Sequence, residues 1–238
     1  RVHRRQRQMC IRDSNYGKNL SIKEDTTIES FVSGIQSEGG INSLDMNDTR
    51  KVALGEIAQN VPNGKICNWI SDAETDLQVG VTLSEENKRI SVVFRGSESR
   101  SDWYYDFMIV KQGLTMESVT KSPPVNVHSG FLAQLTTNDV YASLVDTVKK
   151  LIQEYPDYDV CITGHSLGGA LSTLFGFMIS HEINNKVIVT SFASPRVGDW
   201  EWKKAFEAKS NLYHFIQPIK ESKRHRYHQL KFWSLPPR

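Results

Sequence analysis

Cys161-Ile-Thr-Gly-His-Ser-Leu-Gly-Gly-Ala-Leu171 decides how this chain is read, because its centre, Gly164-His165-Ser166-Leu167-Gly168, has the Gly-x-Ser-x-Gly spacing of a nucleophile elbow. A serine hydroxyl is a poor nucleophile unless it is held exposed and next to a base. Upstream, Tyr158-Asp-Val-Cys-Ile-Thr163 is short, β-rich and mostly apolar, which predicts a buried strand with Cys161 as a small buried hydrophobe. Downstream, Ala170, Leu171, Leu174, Phe175, Phe177 and Met178 fall at helical spacing, which predicts a helix over residues 169–183. The motif therefore occupies a strand-to-helix turn. There Gly164 and Gly168 lack the Cβ atoms that would collide, and Ser166 takes a strained backbone conformation. The helix N-terminus offers free amides and a positive dipole end where an oxyanion would form. The same residues admit a plainer use, in which Ser166 caps a tightly packed helix. His165 adjoins Ser166, but neighbours on such a turn point in different directions, so it is not expected to be the base.

Before the elbow, residues 78–83 and 89–94 flank the polar turn Ser84-Glu-Glu-Asn-Lys88 and predict a hairpin. The second strand runs into Arg95-Gly-Ser-Glu-Ser-Arg-Ser-Asp-Trp103, a loop at a buried strand end, where ligand groups gather in open α/β sheets. Residues 101–110 put Trp103, Phe107 and Val110 on one helical face, either as a short amphipathic lid or as an element entering the core. A long helix is predicted over 130–155, ending at Pro156. After the elbow come a strand over 186–193, a helix over 200–209 and a strand over 211–215. Helices and strands in this alternation predict an α/β class, with a mainly parallel sheet and flanking helices. Nearer the start, helices are predicted over 26–36 and 49–60. Residues 1–14 are basic, lack any apolar period and look like a translated sequencing adapter, so they are set apart as a non-native or disordered leader.

The 238 residues, 39% hydrophobic and 24% charged, suffice for one α/β domain with a real core. The formal charge of +2 is small and its basic excess lies near the two ends, so no nucleic-acid partner is expected. No apolar run of membrane-spanning length and no signal peptide stand out, which makes a cytoplasmic location the default expectation. Cys10, Cys67 and Cys161 are unevenly spaced and predict neither a disulfide framework nor a metal site.

Five blocks stand in order: Val92-Val-Phe-Arg-Gly-Ser97, Asp102-Trp103, Val127-His-Ser-Gly-Phe131, Thr163-Gly-His-Ser-Leu-Gly-Gly-Ala170 and Phe192-Ala-Ser-Pro-Arg-Val-Gly-Asp199. Together they resemble the class 3 lipases, an α/β-hydrolase family, over about residues 52–215. The resemblance implies an α/β-hydrolase fold truncated at its C-terminal end. It implies Ser166 as the nucleophile that forms an acyl-enzyme, with Leu167 and Ser97 supplying the oxyanion hole. One such donor is typically worth about 3 kcal/mol in the transition state. Trp103 matches the aromatic of the family's lid, turning toward a lipid surface. The implied substrate is an acylglycerol-type lipid ester, handled without metal or cofactor. A phospholipase, galactolipase or short-chain esterase, or a lipase-like binding protein without a triad, are the competing readings. His128 is read as a packed, hydrogen-bonded histidine rather than a site residue.

A hydrolase of this kind needs an acid and then a histidine after the nucleophile. The family carries its acid just after the strand matching 211–215, where this chain reads Ile216-Gln-Pro-Ile-Lys-Glu-Ser-Lys-Arg-His-Arg-Tyr-His228. Asp199 falls in a block that the family does not use as the acid. Glu221 is the one carboxylate in that stretch, so Glu221 and His228 are the acid and base that can be written. The abrupt basic composition suggests a slipped reading frame instead. Codons for Lys223-Arg-His-Arg-Tyr-His228, read one nucleotide over, can spell Asp-Ile-Val-Thr, a segment of the family's type. The division is then a leader at 1–14, a hydrolase domain at 15–215 and an atypical tail at 216–238.

Overall fold

A computed structural model describes residues 26–27, 64–72, 74–96, 111–114 and 124–217. Among these residues, seven strands, numbered in chain order, form one sheet. β1 (Thr26–Thr27), β2 (Lys65–Asp72), β3 (Leu77–Ser84) and β4 (Arg89–Phe94) make an antiparallel run. From β4 onward the pairing is parallel, through β7 (Asp159–His165), β8 (Val187–Phe192) and β9 (Leu212–Gln217). The sheet order is β1-β2-β3-β4-β7-β8-β9. A second, two-stranded sheet joins β5 (Lys111–Gly113) to β6 (Asn126–His128).

Alternation builds the core. Val79, Val81, Ile90, Val92, Phe94, Val160, Ile162, Val187 and Val189 point to one face of the sheet and are all buried. Three helices come between β6 and β8: α1 (Ser129–Thr136), α2 (Val140–Glu154) and α3 (Leu167–Ile179). α4 (Trp200–Glu207) joins β8 to β9. α3 is buried along its whole length, and a Cβ on its Gly176 would run into Val189, so the helix axis lies close against β8. Phe175 meets Phe94 of β4 with ring centroids 5.6 Å apart and Tyr141 of α2 at 5.9 Å. The opposite face is more open, with Val93, Tyr213 and Phe215 at 43%, 47% and 55% exposure.

Several expectations are corrected. Cys161 lies on that second face and is only half-buried, because the period of two assigns the core side to Val160 and Ile162. The helix predicted over 130–155 is broken by a 3₁₀ turn at Thr137–Asp139, where Asn138 and Asp139 adopt φ of 53° and 57°. Asn and Asp tolerate this left-handed conformation best among residues with a Cβ. Thr26 and Thr27 do not start a helix; they pair with Lys65 and Ile66 as a strand. β2 carries no clean alternation, because a bulge between Ile66 and Asn68 shifts which side chains face inward. The leader at 1–14, the helix at 49–60, the segment 101–110 and residues from 218 onward lie outside the described residues.

Candidate active site

Ser166 stands between β7 and α3 with φ 56° and ψ −120°, an unfavourable conformation for a residue with a Cβ. It is the N-cap of α3, yet its side chain makes no capping hydrogen bond. Ser166 therefore caps the helix by position alone, at a strained backbone conformation. The Ser166 amide donates to the Phe192 carbonyl at 2.9 Å, and the Ser166 carbonyl accepts from Ala170 at 3.2 Å.

The glycines are required by close backbone approaches. A Cβ on Gly164 would collide with the Gly168 carbonyl, and one on Gly168 would collide with the Phe94 and Arg95 carbonyls. A Cβ on Gly96 would press on the His165 carbonyl. The end of β4 is thus laid directly against the elbow, with Phe94 paired in register with Gly164. Leu167 begins α3 and is 7% exposed, so its amide belongs to the leading group of N–H donors that lack a partner within the helix. An oxyanion next to Ser166 can meet both these donors and the positive end of the helix.

Other sequence-marked residues have other occupations. His165 is exposed, pairs in register with Phe192 and makes no hydrogen bond with Ser166. His128 caps α1, its Nδ1 accepting from the Gly130 amide at 3.1 Å while the ring stacks on Phe131, as its reading as a packed histidine requires. Asp199 caps α4: one carboxylate oxygen accepts from the Trp202 amide at 2.9 Å and the other from Asn126 Nδ2 at 2.8 Å. Its two oxygens thereby hold β6 to α4. Ser97, Trp103, Glu221 and His228 lie outside the described residues, although Gly96 brings the chain to the elbow one residue before Ser97.

A polar pair unmarked in the sequence lies one strand further on. Ser191 Oγ of β8 and His214 Nε2 of β9 are 2.8 Å apart, and Ser191 is fully buried. Burial lowers the His214 pKa from 6.5 to about 4, so the imidazole is neutral at physiological pH. The signal was present in the strand parity, since Ser191 and His214 share the inward face with Val187, Val189 and Leu212. Nothing in sequence says that two inward polar residues on separate strands will meet.

A sequence profile described as Lipase (class 3) matches residues 91–219. The chain is 34% identical over 139 residues to a lipase of Rhizomucor miehei, covering 57% of this chain and 36% of that protein. It is 30% identical over 158 residues to phospholipase A1-II 4 of Oryza sativa subsp. japonica, covering 59% of this chain and 40% of the relative. The chain therefore spans less than half the length of these curated relatives. Among solved structures, a triacylglycerol lipase from Penicillium expansum superposes with TM-score 0.58 at 26% identity, covering 65% of this chain and 59% of that one. A second, described as a triacylglycerol lipase whose catalytic centre is formed by a serine protease triad, superposes with TM-score 0.55 at 28% identity, covering 64% of this chain and 57% of that one. The matched span contains all five sequence blocks and more than half the chain, and its sheet and elbow have the α/β-hydrolase arrangement. The chain belongs to the class 3 lipase family.

Proposed function

We propose that this chain carries the nucleophile and oxyanion half of a serine ester hydrolase acting on acylglycerol-type lipids. The single observation behind this reading is Ser166, held at positive φ with its hydroxyl unused by the helix it caps. In the proposed reaction Ser166 Oγ attacks the ester carbonyl carbon as its proton passes to an imidazole base. The carbonyl oxygen gains negative charge, which the amides of Leu167 and Ser97 stabilise. Collapse expels the alcohol, which takes the proton from the imidazolium, and water then hydrolyses the acyl-enzyme by the same route. For the other half of the site this chain offers only Glu221 and His228 as the acid and base that can be written, and Trp103 is the proposed lipid-facing residue of a lid.

Covalent labelling with a fluorophosphonate tests the reading. Mass spectrometry is expected to find the adduct on Ser166 and to lose it in Ser166→Ala. A folded chain that never labels overturns the reading and leaves a lipase-like binding protein. The rice relative, named a phospholipase A1, favours a second substrate class. Rates on emulsified long-chain acylglycerols, phospholipid vesicles and soluble short-chain esters separate the classes. In the same assays, Trp103→Ala is expected to lower the rate on emulsions severalfold while leaving soluble esters unchanged.

A further inference from the structure

The elbow leans on the C-terminal end of β8. Ser166 donates its amide to the Phe192 carbonyl at 2.9 Å. On the first turn of α3, a Cβ on Gly169 would already stand 3.2 Å from that same carbonyl oxygen and 3.1 Å from Ser194 Cβ. The residue after Phe192, Ala193, has a φ of 52°, so the chain turns sharply and at a conformational cost where the support ends. Such a support must itself be held. From the β7 side, Thr163 Oγ1 donates to the Thr190 carbonyl at 2.8 Å. From the β9 side, His214 meets Ser191 Oγ at 2.8 Å. Side-chain bonds from both neighbouring strands therefore grip the two residues preceding Phe192.

The β9 grip is the more consequential of the two, because β9 is the last strand of the sheet among the described residues and has a hydrogen-bonded neighbour on one side only. Beside it opens a cavity of about 300 Å³ lined by Trp202, Phe206, Leu212, His214 and Ile216, with Lys203 and Glu207 also on its wall. The His214 ring bridges that gap, packing on Phe206 at a centroid distance of 5.3 Å while its Nε2 reaches Ser191.

We propose that Ser191 and His214 form a positioning pair for the nucleophile elbow, clamping the end of β8 so that the Phe192 carbonyl fixes the backbone of Ser166. The pair touches no substrate; its effect passes through Phe192 to the serine. This rests on the reading of Ser166 as nucleophile for its consequence, and on the hydrogen bonds alone for its physical content.

Amide hydrogen exchange in the intact chain tests it without requiring activity. Ser191→Ala/His214→Leu removes both polar groups together, so neither is left buried without a partner. The Ser166 amide is expected to exchange about fivefold to tenfold faster, as loss of one net hydrogen bond implies, while amides of Ile162 and Val92 keep parent rates. His214→Gln, which can still reach Ser191, is expected to restore much of the protection and serves if the double variant does not fold. The fluorophosphonate rate at Ser166 is expected to fall in step, and the KM for a soluble ester to stay level while kcat drops. Parent-like exchange at Ser166 in the folded double variant, or uniform acceleration across the sheet, overturns the proposal. A parent chain that exchanges as expected but never labels contradicts the hydrolase reading alone.

Discussion

Ser166 sits at a strained turn with its hydroxyl unused by the helix it caps. Its φ of 56° costs about 1–3 kcal/mol for a side chain with a Cβ, a cost that glycine escapes. Ser166→Gly is therefore expected to raise stability by about 1 kcal/mol in chemical denaturation while abolishing fluorophosphonate labelling. A drop in stability would show that the serine is held without strain. Gly168→Ala acts in the opposite direction, because its new methyl would meet two backbone carbonyls, of Phe94 and Arg95, that have no rotamer to yield. A loss of about 2–3 kcal/mol is expected, with slower labelling of Ser166 as the elbow shifts.

The elements were readable to the extent that local pattern governs them. β4, β7 and β8 announce themselves by apolar runs, and α3 by helical spacing combined with the glycines that let it touch the sheet. β2 is not legible in this way, because one bulge changes which side chains face inward, and the 130–155 helix is interrupted because a left-handed Asn138-Asp139 pair breaks a pattern that remains apolar on both sides. Asp199, carried in a family block, turned out to be a structural cap. Asp199→Ala is expected to cost about 1–2 kcal/mol of stability, since it strips the α4 N-cap and releases Asn126. Its effect on labelling should be small by comparison. Phe175→Ala probes the packing of α3 on the sheet. With Phe175 fully buried between Phe94 and Tyr141, a loss of about 3–5 kcal/mol is expected.

At the scale of the whole molecule, His214 couples folding to pH. Its folded pKa of about 4 lies below the ordinary 6.5 because burial disfavours the charged ring. Between those values the unfolded chain binds the extra proton, so the contribution of this group to stability is full above pH 6.5. It declines as pH falls toward 4 and stays level below that. The span amounts to roughly 3 kcal/mol. The denaturation midpoint of the parent is expected to fall between pH 7 and pH 4.5 by more than that of His214→Gln. Equal slopes would show that the ring titrates normally in the fold.

The sequence by itself determined the elbow, the strands flanking it and the family, because each is written in contiguous residues whose spacing fixes backbone shape. Tertiary structure decided what those residues are free to do. Ser166 makes no capping bond with its hydroxyl, Asp199 ties the α4 N-terminus to β6, and Ser191 finds His214 across a strand boundary. Asn126 lies 73 residues from Asp199 and His214 lies 23 from Ser191, and no local pattern records which distant partner a polar atom will meet.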